Sequence, residues 1–269
     1  MPLIPLADLD DPRLAPYRDL SHRNLTRQSG LFIAEGQKVV ERLIASRYEV
    51  ASLLAEPEYA AHYARQVPPE TPVYVVPRGP LATLVGFQFH RGILGCGKRR
   101  PSPDVETLLA RHEPPRRSET LVVCPDVQDP TNLGSIIRSA AAFGCCGLIL
   151  GRRCADPFSR RVLRVSMGAA LELPLVESPD LAADLSRLAS AGYELVAAVI
   201  DPAAQPLAAA PRGPRLALLL GSEGHGLEAA WRRLAHREVT IPMQLGIDSL
   251  NVAVAAAVLL YHFTREATA

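Results

Sequence analysis

Four polar side chains in the second half of the chain have no obvious structural duty: Asn132, Arg138, Glu223 and Ser249. Arg138 is the hardest to dismiss. It follows Ile136 and Ile137 in a stretch otherwise made of Ala, Ser and Ile, beside a glycine-rich segment. An arginine at such an edge wants an anion, and its planar fork suits a phosphate or carboxylate. Asn132 and Ser249 would each serve equally well as a plain helix N-cap, and Glu223 as a solvated turn residue.

Other chemistries are poorly served. Gly221-x-x-Gly224-x-Gly226 has neither the spacing nor the early position of a dinucleotide fingerprint. No Gly-Lys-Ser/Thr occurs, no Cys/His set has zinc spacing, and Ser222 does not stand in a Gly-x-Ser-x-Gly elbow. No metal is expected. His62, His112 and His236 read as ordinary surface residues; His225 sits inside the glycine loop.

The elements that must position these residues can be read from the pattern. Leu216–Leu220 is an unbroken apolar run, as in a strand buried on both faces. It stops at Gly221-Ser-Glu-Gly-His-Gly226, where three glycines free the backbone to turn and to approach a ligand. Val239–Ile241 reads as another strand, ended by Pro242; the loop Met243–Asp248 follows, then an alanine-rich helix to about Thr264. Two glycine-bearing loops after two buried strands describe a ligand site at the carboxyl edge of a parallel sheet. Upstream, a strand at Thr120–Cys124 leads into a helix with Pro130 in its first turn and Gly144 as its stop. Further alternation gives a doubly wound sheet of about six strands.

The first hundred residues alternate β-α-β-α-β as a small α/β sandwich. Before them, residues 8–29 carry Arg13, Arg18, Arg23, Asn24 and Arg27, which fit either a solvated helix face or an RNA-facing arm. Residues 97–119 hold Lys98, Arg99, Arg100, Arg111, Arg116 and Arg117 among Pro101, Pro103, Pro114 and Pro115; Arg111–Ser118 reads as the interdomain linker. The expected domains are 1–117 and 118–269.

With 269 residues and a formal net charge of +1, the chain has no global basic signature, so any nucleic-acid footprint must be local. Five cysteines without metal spacing read as reduced thiols. The amino terminus lacks the pattern of a secretory signal, and no apolar run reaches membrane-spanning length. A cytoplasmic protein is expected.

Asn132-Leu-Gly134-Ser-Ile136-Ile-Arg138, Leu219-Leu-Gly221-Ser-Glu223-Gly-His-Gly226, and Ile241-Pro-Met243 with Ser249-Leu250-Asn251-Val252 resemble, in this order, the three motifs of the SpoU/TrmH branch of SPOUT RNA methyltransferases. More loosely, Phe32-Ile-Ala-Glu35-Gly36 and His90-Arg91-Gly92 resemble the ribosomal-protein-L30e-like substrate-binding domain that precedes many members. The resemblance implies a sheet closed by a deep trefoil knot, which breaks the usual no-knot rule. It implies S-adenosylmethionine bound in that knot, with Gly221, Ile241 and Leu250 as contacts by motif match and Met243 and Gly226 beside them. It implies a homodimer and methylation of a ribose 2′-hydroxyl in ribosomal or transfer RNA; ribosomal RNA is expected first, because the extra domain resembles a ribosomal-protein fold, with a transfer-RNA 2′-O-methyltransferase as the alternative. Arg138 would hold RNA phosphate and stabilise developing charge; a guanidinium stays protonated and is no simple base. Asn132, Glu223, Ser249 and Asn251 would orient the ribose and Arg138 and order the loops. Two departures stand out: Ala253 replaces the family's usual Ser, and His-Arg-Gly replaces His-Gln-Gly. Competing readings are a non-catalytic RNA-binding or ribosome-assembly protein that keeps the knot, and a nucleotide-dependent oxidoreductase using the glycine loop.

Overall fold

A computed structural model of the chain describes residues 3–20, 29–88, 92–111, 118–222 and 224–264. It divides into two compact units, residues 1–101 with 156–172, and residues 102–155 with 173–269. The expected linker lies largely outside the described residues, as do Arg23, Asn24, Arg27, His90, Arg91 and Glu223.

The first unit is built on β1 (Leu3–Pro5), β2 (Leu31–Glu35), α1 (Gln37–Ala45), β3 (Val50–Ala55), α2 (Pro57–Ala64), β4 (Val73–Val75), α3 (Arg78–Val85) and β5 (Ile93–Lys98). Its mixed sheet runs β1-β4-β3-β5-β2, with β5 antiparallel to both neighbours. The expected solvated helix near residue 13 is instead a 3₁₀ turn, Pro12–Tyr17. Leu14 and Tyr17 are fully buried in it, and the Tyr17 hydroxyl meets Ser52 Oγ at 2.7 Å. Arg13 and Arg18 are drawn onto Asp11 and Asp10, at 2.6 and 2.8 Å, so local carboxylates already neutralise both. Buried Glu35 pairs with Arg160 and Arg164.

The second unit follows the chain through α4 (Val105–Ala110), β6 (Glu119–Cys124), α5 (Pro130–Ala142), β7 (Gly147–Leu150), α6 (Arg160–Val165, which belongs to the first unit), β8 (Leu175–Glu177), α7 (Leu181–Ser190), β9 (Glu194–Ala198), β10 (Gln205–Pro206), β11 (Arg215–Leu219), α8 (Ala229–Arg232), β12 (Arg237–Thr240) and α9 (Val252–Thr264). Seven strands, all parallel, run β10-β12-β9-β11-β6-β7-β8. Leu121, Val123, Leu195, Ala197 and Leu219 pack with Leu108 of α4 and Leu185 and Leu188 of α7. The alternate residues Val122, Leu148, Val196 and Leu218 are fully buried too, so the other face is also covered. A sheet buried on both sides explains why its strands read as continuous apolar runs. The stretch from Phe158 to Leu171 does not run as one helix: it breaks into α6 and a 3₁₀ turn at Ala169–Leu171, because Met167 and Gly168 take positive φ.

All five cysteines are free and buried. Among the described residues, no helix is long and apolar enough to cross a membrane, and no cluster of three or more His, Cys, Asp or Glu is arranged to hold a metal.

Candidate active site

The order β12-β9-β11 places three strands side by side, so the loops leaving their carboxyl ends emerge at neighbouring spacings of about 4.8 Å. Together with the start of α9 they enclose a cavity of about 550 Å³. Gly221, Gly226, Ile241, Met243, Ser249, Leu250 and Asn251 all line it. Seven of the ten residues singled out from sequence therefore share one wall system, although they are spread over thirty positions of the chain.

The glycine loop is closed on itself. Ser222 N–H donates to the Gly226 carbonyl at 2.9 Å and Gly226 N–H returns to the Ser222 carbonyl at 3.1 Å. A Cβ on Gly221 would lie 2.2 Å from the Gly226 carbonyl carbon and 2.3 Å from Leu227 N, closer than any side chain tolerates. Gly226 itself has φ +65°.

Asn132 and Arg138 sit on α5, outside the cavity lining. Asn132 is joined to it by a hydrogen bond: Asn251 Nδ2 donates to Asn132 Oδ1 at 2.9 Å. Neither Asn132 nor Ser249 is a helix cap. Asp129 caps α5, its Oδ1 accepting from Thr131 N and Asn132 N at 2.7 and 2.9 Å. Asn251 caps α9, its Oδ1 accepting from Ala253 N at 2.9 Å, so the Ser-to-Ala departure at 253 leaves the helix start bonded. Arg138 is exposed and, among the described residues, makes no ion pair or hydrogen bond. Helix α9 packs on α5, with Tyr261 and Phe143 rings 6.2 Å apart.

Sequence reasoning missed the third wall, Ala198–Ile200, and also Arg232, which line the cavity as well. That wall depends on the place of β9 between β11 and β12, which local pattern does not give. His225 lines the cavity from the glycine loop, its N–H donating to Ser222 Oγ at 3.3 Å.

The SpoU rRNA Methylase family model matches residues 119–261. An uncharacterised tRNA/rRNA methyltransferase of Mycobacterium bovis is 38% identical, over 97% of this chain and 91% of its own. The chain belongs to the SpoU rRNA methylase family. A second relative, a 23S rRNA (guanosine-2′-O-)-methyltransferase of Vibrio parahaemolyticus, is 32% identical over 66% of this chain and 71% of its own. An AdoMet-bound rRNA methyltransferase from Sinorhizobium meliloti superposes with a TM-score of 0.83 at 27% identity, covering 97% of both chains. The SpoU methyltransferase AviRb from Streptomyces viridochromogenes, solved in complex with AdoMet, gives a TM-score of 0.78 at 27% identity over 94% of this chain and 97% of its own. The second unit therefore has the SpoU methyltransferase fold, and the enzyme is an RNA methyltransferase.

The cavity fits the family's cofactor by its chemistry. Its volume is that of a small-molecule site. Ile241, Leu250, Leu220 and Val199 offer apolar surface to a flat ring, while glycine-bearing backbone supplies polar groups with no side chain in the way.

Proposed function

We infer that this SpoU enzyme transfers a methyl group from S-adenosylmethionine to a ribose 2′-hydroxyl of RNA. The observation that carries the reading is the hydrogen bond from Asn251, at the cavity, to Asn132 on α5, which ties the first motif to the third. The cofactor supplies a methyl group on a sulfonium for in-line displacement, a reaction accelerated mainly by positioning. The residues of the chain have three tasks in it.

Gly221, Gly226, Ile241, Met243 and Leu250 shape the cofactor's seat. Asn132, Ser249 and Asn251 orient the ribose and hold the loops in register, with Glu223 assigned to the same task by its motif. Arg138, which pairs with no carboxylate among the described residues, takes RNA phosphate and stabilises charge developing on the hydroxyl oxygen.

The cavity loops belong to a trefoil knot in this reading; β12 lies between β9 and β10, and α9 returns onto α5, an arrangement in keeping with a threaded tail. The enzyme works as a homodimer. Leu245, Ile247, Leu250, Val254, Val258 and Tyr261 are exposed and apolar, a stripe along the last loop and the outer side of α9. Such a stripe calls for a partner surface, and Leu250 belongs both to it and to the cavity. The first unit acts as an L30e-like RNA-binding domain, the protein works in the cytoplasm, and ribosomal RNA is the substrate ahead of transfer RNA, in keeping with the family description and the Vibrio relative.

Ribose-methylation mapping across total RNA from cells with and without the gene tests the reaction and names the target. Loss of one ribosomal methyl mark is the expected result. A lost transfer-RNA mark would reassign the substrate, and an unchanged map would end the assignment.

A further inference from the structure

We propose that Arg232 is a positioning residue for the cofactor cavity, fastening the segment that crosses β12 between β9 and β10. The proposal rests on the assignment of that cavity to S-adenosylmethionine. Ala198 at the end of β9 and Gln205 at the start of β10 both stand opposite Val239 of β12, one on each side. Residues 199–204 must therefore cross from one flank of β12 to the other, about two strand spacings or roughly 10 Å, with no helix to stiffen them.

The backbone secures the near end of this crossing, where Val199 N–H donates to the Val239 carbonyl at 2.9 Å. Beyond it Ile200 is 65% exposed and the chain depends on Asp201. Asp201 Oδ1 accepts from Ala203 N at 2.9 Å, which shapes the turn, and Oδ2 accepts from Arg232 Nη2 at 2.9 Å. Arg232 in turn grips Glu238 on β12 with two bonds, Nε to Oε1 at 2.6 Å and Nη2 to Oε2 at 2.7 Å. One guanidinium thus links the crossing segment to the strand it crosses.

The link sits where it matters for the ligand. Val199 and Ile200 form one wall of the cavity, Ile241 just past β12 forms another, and Arg232 lines it between them. The planar fork fixes direction as well as distance, which a lysine would not do. The three side chains are each about one-third exposed, so the link contributes little to global stability. Its effect is local: where the Val199–Ile200 wall stands. Hydrogen bonds from Ala203 N–H and then Arg232 hold the Asp201 carboxyl below its ordinary pKa, so the pair stays charged at neutral pH.

Titration calorimetry of the full chain with S-adenosylmethionine, alongside thermal melting of each sample, tests this. Arg232→Ala and Asp201→Asn are each expected to weaken cofactor binding about fivefold or more, close to 1 kcal/mol. The double variant is expected to be no weaker than either alone, and melting temperatures to stay near that of the parent. Glu238→Gln, which keeps one acceptor for Arg232 but loses the charge and the paired bond that anchor it to β12, should also weaken binding, by less than either of the other two variants. In steady state the cofactor KM should rise with kcat at saturation preserved. Unchanged affinity in both Arg232→Ala and Asp201→Asn, or losses that merely follow melting temperature across all variants, would overturn the proposal. Ile241→Asp serves as the wall control. If it binds normally, the cavity assignment fails and takes this proposal with it. If it alone loses binding, only the role of Arg232 fails.

Discussion

Asn251 and Asn132, 119 residues apart in the chain, meet side chain to side chain at 2.9 Å. Asn251 uses both ends of its amide: Nδ2 reaches Asn132 while Oδ1 caps α9 at Ala253 N. A single side chain therefore fixes the start of the last helix and its register against α5.

Asn251→Ala removes both functions. The cap alone contributes about 1 kcal/mol, which for a chain of this size lowers the melting temperature by about 2–4 °C. Methyl transfer should fall at least about tenfold, beyond what the stability loss explains. Asn132→Ala should reproduce the activity loss while sparing the cap, so calorimetric melting and a methylation assay on the two variants separate the roles.

Arg138→Ala should behave in the opposite way. Its side chain is exposed and, among the described residues, has no hydrogen bond or ion pair to lose, so stability should stay within about 0.5 kcal/mol of the parent. Cofactor affinity should be unchanged. Turnover should fall about a hundredfold, the usual cost of removing a group that stabilises developing charge. Normal turnover in this variant would remove Arg138 from the mechanism.

Gly221→Ala places a methyl group 2.2 Å from the Gly226 backbone, with no flexible side chain to give way. The hairpin at Ser222–Gly226 must open to admit it. Calorimetry should show cofactor binding lost while the second unit still melts cooperatively, since the clash is confined to one loop.

Association should depend on the apolar stripe. Leu245 is 98% exposed at φ +58°, and Val254 is 51% exposed on α9. Light scattering should report a dimer for the parent and a monomer for Leu245→Asp with Val254→Glu. A parent that is monomeric at tens of micromolar would refute the reading.

The thiols should be silent. Burial pushes Cys96 and Cys145 up to about 12, so their neutral forms are favoured in the folded chain. For a group raised on folding, that stabilisation is present below the unfolded pKa, about 8.5, and is lost as pH rises towards 12. A disulfide-exchange reagent at pH 8 should label the native protein slowly, and all five cysteines promptly in denaturant.

Much of the site was legible because its residues are forced by backbone geometry. Gly221 must lack a side chain, and Pro130 suits the first turn of α5; such demands leave marks at fixed positions. The β6 and β11 strands were legible because burial on both faces makes them uniformly apolar. Helix caps were misplaced by two or three residues: Asn132 and Ser249 were credible caps by type, and only coordinates show that Asp129 and Asn251 do the capping. The wall at Ala198–Ile200 and the role of Arg232 were invisible for a deeper reason. They follow from strand order, which pairs segments far apart in the chain, and local pattern carries no information about it.

Residues 156–172 lie within the second half of the chain yet belong to the first unit, where Phe158 packs against Phe32 and Tyr48 and Arg160 meets Glu35. Severing the polypeptide near residue 118 would strand that excursion and bare its apolar side. Anyone wishing to exchange the first unit between such enzymes must transplant two separate stretches together, because the graft has two roots.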